Sequence, residues 1–437
     1  MLGPVAGFVF VLLIVGYFVQ SRLPPPKPRI IGIDLGTTFS CVGIYNAVSG
    51  NVTVLDDEDN NKLTPSVVFF GNNSVEIGRR ASSQSEKYPS SVLYDAKRFI
   101  GKKNISENNL EKLRERYPFK ILKDKSGSLQ FSVSSGNNVS YFQPEDIGAL
   151  ILAKLKKMVE KKLDREIKIA VISVPAEFDE LQRNATIEAG RRAGLKVLRL
   201  INEPTAAALA YGLHKKKGVN TVMVVDFGGG TLDVSLLNVQ GGMFYTMAMA
   251  GNNRLGGQDV NQNLLKYLHS VIMTLHKVDI SDPSDLQKLR SEVENIKINL
   301  TYNNSVDVNI DFESSLQNSS TLNFQYTMTR QTFDKINVDI FNKVLEPVRR
   351  VLKDVEISND EVDEVVLVGG STRIPRVRSI IEEFFGKKPN VEVDPELAVV
   401  TGVAIQAGIL GGMWPLQVAA IELPTNHIRK IEVGKEL

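Results

Sequence analysis

The chain has 437 residues, 43% of them hydrophobic and 23% charged, with a formal net charge of +2. That is ordinary globular composition with length for two or three cores, and the interspersed charges leave no basic face that would mark a nucleic-acid binder. A single cysteine, Cys41, excludes an intramolecular disulfide or a thiolate cluster, and four scattered histidines offer no ligand pair, so metal chemistry must rest on oxygen donors.

In chain order, the first element is an uncharged run from Leu2 to Val19. Its length lies at the lower edge for a spanning helix and suits a secretory h-region, with Val19 and Ser21 as a cleavage signature. Residues 1–21 are therefore expected to be a signal peptide or a signal anchor, and 2–19 the sole expected membrane contact. If the run stayed in the bilayer, Arg22, Lys27 and Arg29 behind it would favour a cytosolic domain by the positive-inside rule. A Pro-rich linker, 22–28, separates this run from the first strand. Asn51 and Asn138 begin Asn-x-Ser/Thr sites that permit glycosylation in a lumen.

Beyond the linker, Ile30-Ile31-Gly32-Ile33-Asp34, the turn Gly36-Thr37-Thr38 and a second apolar run through Tyr45 read as a hairpin. The pattern returns as Thr221 to Asp226, Gly228-Gly229-Gly230-Thr231 and Leu232 to Leu237. Its aspartates, Asp34 and Asp226, stand 192 positions apart, a spacing for two similar lobes and not for a solenoid. Strands such as 167–175 alternate with helices such as 180–193, which predicts an α/β fold. Helices are expected over 286–301 and 333–353 in the second lobe, and over 393–410, returning to the first. The expected organisation is lobe I at 29–216, lobe II at 217–390, a return to lobe I at 391–412 and a linker-like tail at 413–437, with a cleft between the lobes.

A Gly-Thr turn after a buried strand presents backbone N–H groups and hydroxyls that suit phosphate, and two facing turns would clamp a phosphate chain. The strand-end carboxylates Asp34 and Asp226 could then hold a hydrated magnesium, an ion that parts with water reluctantly. A single such turn is usually no more than a tight β-turn; the repeat is what carries the argument. No Walker-type loop is present, and the glycines at 228–230 lack the dinucleotide spacing. A third strand-to-glycine corner, Val365 to Pro375, would let a flat ring or ribose approach at Gly369 and Gly370.

At this point a family resemblance is specific. Ile31 to Thr38 resembles the first phosphate loop of the DnaK-type heat-shock chaperones, and Asp95-Ala96-Lys97-Arg98-Phe99-Ile100-Gly101 resembles their lysine segment. Val174-Pro175-Ala176-Glu177-Phe178, Asn202-Glu203-Pro204-Thr205, the loop at 226–233 and Leu255-Gly256-Gly257-Gln258-Asp259 continue the match in the family's order. Gly411-Gly412-Met413-Trp414-Pro415-Leu416-Gln417-Val418 is similar to the tail of microsomal members that lack a peptide-binding domain.

The resemblance implies the actin-like ATPase fold, with ATP or ADP and Mg2+ as cofactors and K+ as a further ion. It implies that Asp34 and Asp226 organise the metal through water, that Gly36, Thr37, Thr38, Gly228, Gly229, Gly230 and Thr231 bind phosphate, and that Lys97 and Glu203 position and polarise the attacking water. Adenosine contacts are expected from Glu294, Lys297 and Thr301, with Gly370, Ser371 and Arg373 opposite. Pro175 and Arg183 match a pair that relays nucleotide state between lobes in the family. Two positions depart from the pattern: Ile298 replaces an arginine that packs on adenine, and Phe39 replaces a tyrosine near the phosphates.

These readings together predict a Mg-dependent ATPase core of the endoplasmic reticulum or secretory pathway, a stress-response glycoprotein whose partners are nucleotide, co-chaperones or nucleotide-exchange factors. With 413–437 too short for a peptide-binding domain, turnover is expected to be independent of unfolded peptides. The alternatives are a non-catalytic nucleotide sensor or scaffold, and an actin-fold sugar kinase, which needs an Asp base in a sugar pocket.

Overall fold

The computed structural model describes residues 27–412 apart from 73, 136–137, 253 and 314–320, together with the backbone of 421–422 and 430–432. The apolar N-terminal run and most of the tail, on which the signal and linker expectations fall, lie outside the described residues.

Ile30–Asp34 is buried on both faces, as a strand inside an α/β layer must be. Ile31 and Ile33 enter the first-lobe core with Ile147 and Ile151, whereas Ile30 joins Val171, Val224, Val366 and Val403 in an apolar core shared by both lobes. This two-residue alternation fixes the strand's register.

The strand is central to a sheet ordered Lys196–Asn202, Ile169–Val174, Ile30–Asp34, Phe39–Asn46, Asn51–Val54. The second lobe repeats the arrangement as Glu364–Val368, Thr221–Phe227, Leu232–Gln240, Met243–Asn252. In each lobe the hairpin is antiparallel and its first strand gains a parallel neighbour, Ile169–Val174 or Glu364–Val368. The hairpin registers correspond: Asp34 lies opposite Cys41, and Asp226 opposite Asp233. The sequence repeat is thus a structural one, and it brings the C-terminal strand ends of both lobes to one cleft.

Helices Glu203–Ala210 and Ala398–Leu410 pack together, the latter also covering Ile30–Asp34 and Phe39–Asn46. Their backbones approach so closely that a Cβ on Gly402 would stand 1.7 Å from the Ala206 carbonyl oxygen. Outer elements extend each lobe: small sheets at 68–93 and 120–142 in the first, and the hairpin Ser305–Phe312 with Leu322–Thr329 plus helices Gly257–His276 and Pro283–Tyr302 in the second.

Two helix expectations need correction. Residues 333–353 are not one helix but parts of three, Arg330–Ile336, Val338–Lys343 and Leu345–Val355. The buried Asn337 side chain donates to the Phe333 carbonyl at 3.0 Å and ends the first, while Pro347 has no N–H for the Lys343 carbonyl. The last long helix starts at Ala398, not at 393, because Pro395 disfavours helical geometry at Asp394, which instead accepts from the Glu396 N–H at 3.0 Å. Short tail strands Ile421–Glu422 and Lys430–Glu432 run parallel beside Met243–Asn252. No helix among the described residues is long and apolar enough to cross a membrane.

Candidate nucleotide site

The two Gly-Thr turns face each other: a Cβ on Gly229 would lie 3.1 Å from the Thr38 hydroxyl. The first turn is fixed by buried hydroxyls, with Ser40 Oγ 2.8 Å from Ser66 Oγ and Ser66 Oγ donating to the Gly36 carbonyl at 2.8 Å. The second closes on itself through Gly228 N–H to the Thr231 carbonyl, 3.0 Å, and is held from outside by Ser371 Oγ donating to the Gly228 carbonyl at 2.8 Å. Between them lies a cleft of about 220 Å3 lined by Gly36, Thr37, Thr38, Gly228, Gly229, Gly230 and Thr231. Gly369, at φ 83°, turns the third corner against it; a Cβ there would meet the Phe227 carbonyl oxygen at 2.4 Å.

Lys97, Glu203, Asp34 and Asp226 line the same cleft. Lys97 rides on the 3₁₀ turn Ala96–Arg98, whose preceding residue Asp95 accepts from Arg98 Nε at 3.1 Å and from the Tyr117 hydroxyl at 2.9 Å. Its ammonium donates to Glu203 Oε1 at 2.5 Å, and Glu203 occupies the first turn of helix Glu203–Ala210, where the helix dipole favours a carboxylate. Burial opposes the charge on Lys97, but Glu203, Asp34 and Asp226 together hold its pKa above the usual lysine value.

The aspartates are strained electrostatically. Burial, with the neighbouring Glu203 carboxylate, raises Asp34 to about 6 even though Ser173 Oγ donates to it at 2.6 Å. Burial and Glu203 push Asp226 well above the usual range, and burial with Glu177 takes Asp233 to about 8. One ammonium does not neutralise this cluster, so the donor set fits a divalent cation. No three His, Cys, Asp or Glu groups among the described residues converge to ligate a metal directly. Asp34 and Asp226, two carboxylates lining the cleft from opposite lobes, suit a hydrated Mg2+ that keeps several of its waters.

Ser173, Glu177 and Asp233 were not singled out from the sequence. Asp233 had a signal: it holds the place in the second repeat that Cys41 holds in the first. Ser173, 139 positions from Asp34, had none. Arg183 Nη2 donates to Asn202 Oδ1 at 2.6 Å and its Nε to the Phe178 carbonyl at 2.9 Å, which ties the turn after Pro175 to the residue before Glu203.

Of the expected adenosine contacts, Gly370 lines the cleft, whereas Glu294, Lys297, Thr301, Ser371 and Arg373 lie outside its lining. Lys297 and Ser371 converge on Gly257, where a Cβ would find Lys297 Nζ at 3.2 Å and Ser371 Oγ at 2.6 Å. Lys297 also pairs with Glu294 at 2.9 Å, and Thr301 follows one turn on, donating to the Lys297 carbonyl at 3.4 Å. Arg373 is held by Asp394 at 2.5 Å and Glu396 at 3.2 Å. Ile298 is 50% exposed on the same helix, and Phe39 lines the phosphate end.

Two duplicated α/β lobes, with facing phosphate-type turns and an aspartate at the end of each central strand, define an actin-like nucleotide-binding fold. The chain belongs to the Hsp70 family, whose model, described as Hsp70 protein, matches residues 30–424. It is similar to heat shock 70 kDa protein 13 of Homo sapiens, 48% identical over 97% of both chains, and to that of Bos taurus, 47% identical over the same shares. It is also 42% identical to a ribosome-associated molecular chaperone of Eremothecium gossypii, across 87% of this chain and 61% of that one.

Proposed function

We propose that this chain binds ATP between its lobes and hydrolyses it to ADP and phosphate in a Mg2+-dependent reaction. The observation that carries the proposal is the Lys97–Glu203 contact of 2.5 Å, set in the cleft beside Asp34 from one lobe and Asp226 from the other. Phosphoryl transfer to water needs in-line positioning and charge neutralisation more than a strong base. Lys97 supplies a fixed positive charge to the γ-phosphate end. Glu203 Oε1 holds Lys97, and its other oxygen accepts from the attacking water. The turns at 36–38 and 228–231 hold the phosphate chain by backbone N–H groups and threonine hydroxyls. Asp34 and Asp226 would hold Mg2+ through water, and the ion would neutralise charge on the phosphate oxygens. K+ would sit at the phosphate end near Phe39.

Lys297 and Ser371 carry the adenosine end, with Glu294, Thr301, Gly370 and Arg373 around them. The uncharged run 2–19 supports entry into the endoplasmic reticulum and the secretory pathway, and in the form that loses the run as a signal peptide Asn51, exposed at the start of its strand, is open to glycosylation. Family membership supports co-chaperones or nucleotide-exchange factors as partners. The purified chain incubated with γ-labelled ATP and Mg2+ should yield inorganic phosphate as the labelled product. Label on a sugar hydroxyl would mean a kinase, and bound ATP that stays intact would mean a nucleotide sensor.

A further inference from the structure

The strands that carry the catalytic end of the first lobe are parallel, so their N-terminal ends share the opposite edge. Ile30 pairs with Ile169, and Ile169 with Lys196. Immediately before or at these positions stand Arg29, Lys168 and Lys196, all exposed. Helix Pro144–Leu163 ends at the same edge with Lys161 and Lys162 in its last turn. Lys27 Nζ donates to the Leu163 carbonyl at 2.5 Å, and Arg165 donates to the Lys27 carbonyl at 3.4 Å.

Seven cations, Lys27, Arg29, Lys161, Lys162, Arg165, Lys168 and Lys196, are thus gathered at one end of the lobe, all exposed. Against them stand two exposed carboxylates, Asp164 and Glu166, the latter paired with Lys168 at 3.0 Å. Five positive charges remain, on a chain whose formal net charge is +2. Glu160, beside them, is part-buried, accepts from the Ile167 N–H at 2.9 Å and is offset by Lys156 at 3.9 Å, so this pair leaves the balance unchanged. Lys27, at this edge, follows the end of the uncharged run at Val19 by eight positions in the sequence. The ten residue steps from Val19 to Arg29 span no more than about 35 Å when extended, so a bilayer receiving the run stays near the basic edge.

We infer that, in the signal-anchor form, whose positive-inside orientation keeps the domain on the cytosolic side, this basic edge is a contact surface for anionic lipid headgroups, engaged while residues 2–19 remain in the bilayer. Lysines and arginines next to a membrane segment are drawn to an anionic leaflet within roughly a Debye length, about 8 Å at physiological salt. The contact orients the molecule. Asp34, Ser173 and Asn202 sit at the far ends of the same strands, about 15 Å away at the rise of a strand, so the edge meets the membrane and leaves the nucleotide cleft clear of it.

The test is amine footprinting of the full chain in nanodiscs of phosphatidylcholine, with and without phosphatidylserine, read by mass spectrometry. Lys161, Lys162, Lys168 and Lys196 should acetylate at least about fivefold more slowly on the anionic discs, with the difference lost at high salt. Lys335 and Lys343, exposed on the second lobe, should label equally on both. The triple variant Lys161→Glu, Lys162→Glu, Arg165→Glu should abolish the difference, and the wild-type footprint decides the matter if that variant does not fold. Equal labelling of the basic edge on both discs, or equal protection on both, would overturn the inference.

Discussion

Replacing Lys97 by alanine isolates electrostatics from binding. The ammonium is 9% exposed and its partner Glu203 16%, so both are nearly dry, yet Glu203 keeps the favourable end of helix Glu203–Ala210 and a cleft open to water. Breaking a fully buried pair costs about 3–5 kcal/mol; with the dipole and solvent access the cost here falls to on the order of 1–2 kcal/mol, which a domain of this size tolerates. In the transition state the loss is larger in effect. Removing one preorganised stabiliser typically lowers turnover by about 10²–10³, or about 2.7–4 kcal/mol. Binding should change little, because in the proposed site the turns at 36–38 and 228–231 would hold phosphate through backbone N–H groups and threonine hydroxyls that the substitution leaves in place. Rapid-quench single turnover with saturating ATP, beside calorimetric titration, separates the two. An unchanged single-turnover rate, or a loss explained wholly by weaker binding, would refute the role given to Lys97.

Other perturbations test other parts of the structure. Asp34 and Asp233 have folded-state pKa values raised above the ordinary 3.8, to about 6 and about 8, so the stability they contribute is full below about pH 4 and is lost as pH rises through those values. The nucleotide-free protein should therefore lose stability between pH 5.5 and 8.5, by roughly 3 kcal/mol or more, and Asp233→Asn should flatten the upper part of a thermal-melt profile; an unchanged profile would speak against the buried charge cluster. Ile298→Arg should tighten ATP and ADP by up to about tenfold through a cation–π contact with adenine, with little change in the chemical step, and equal or weaker affinity by calorimetry would place adenine elsewhere. Gly402→Ala should lower the urea midpoint by the equivalent of about 1–3 kcal/mol, since its Cβ would sit 1.7 Å from the Ala206 carbonyl oxygen; a neutral result would mean that the two helices can part.

The repeated hairpin was legible in the sequence because its physics is local: a buried strand, a carboxylate and a glycine turn, written twice. That repeat, with the motif order, was enough for the two-lobed fold and for placing Asp34 opposite Asp226. What stayed hidden was non-local. Ser173 meets Asp34 because two parallel strands lie side by side, and Arg183 reaches Asn202 across a helix and a strand. Glu177 acts on Asp233 through a shared low-dielectric cleft, which no spacing records. The break at Asn337 was missed because the apolar periodicity continues through it; a single side-chain bond to Phe333 ends the helix there. Glu294, Lys297 and Thr301, expected at adenosine, share one helix face by their spacing, but only the fold tells that Lys297 and Ser371 meet at Gly257 while Arg373 is held by Asp394 and Glu396.

In the proposed reaction the carboxylates of both lobes act together with Mg2+ to drive hydrolysis. Phosphate release by the purified chain should rise with Mg2+ and saturate, vanish in chelator, and fall by about 10² or more in both Asp34→Asn and Asp226→Asn while ATP still binds. Release that is indifferent to Mg2+, or that survives both substitutions, would contradict the account.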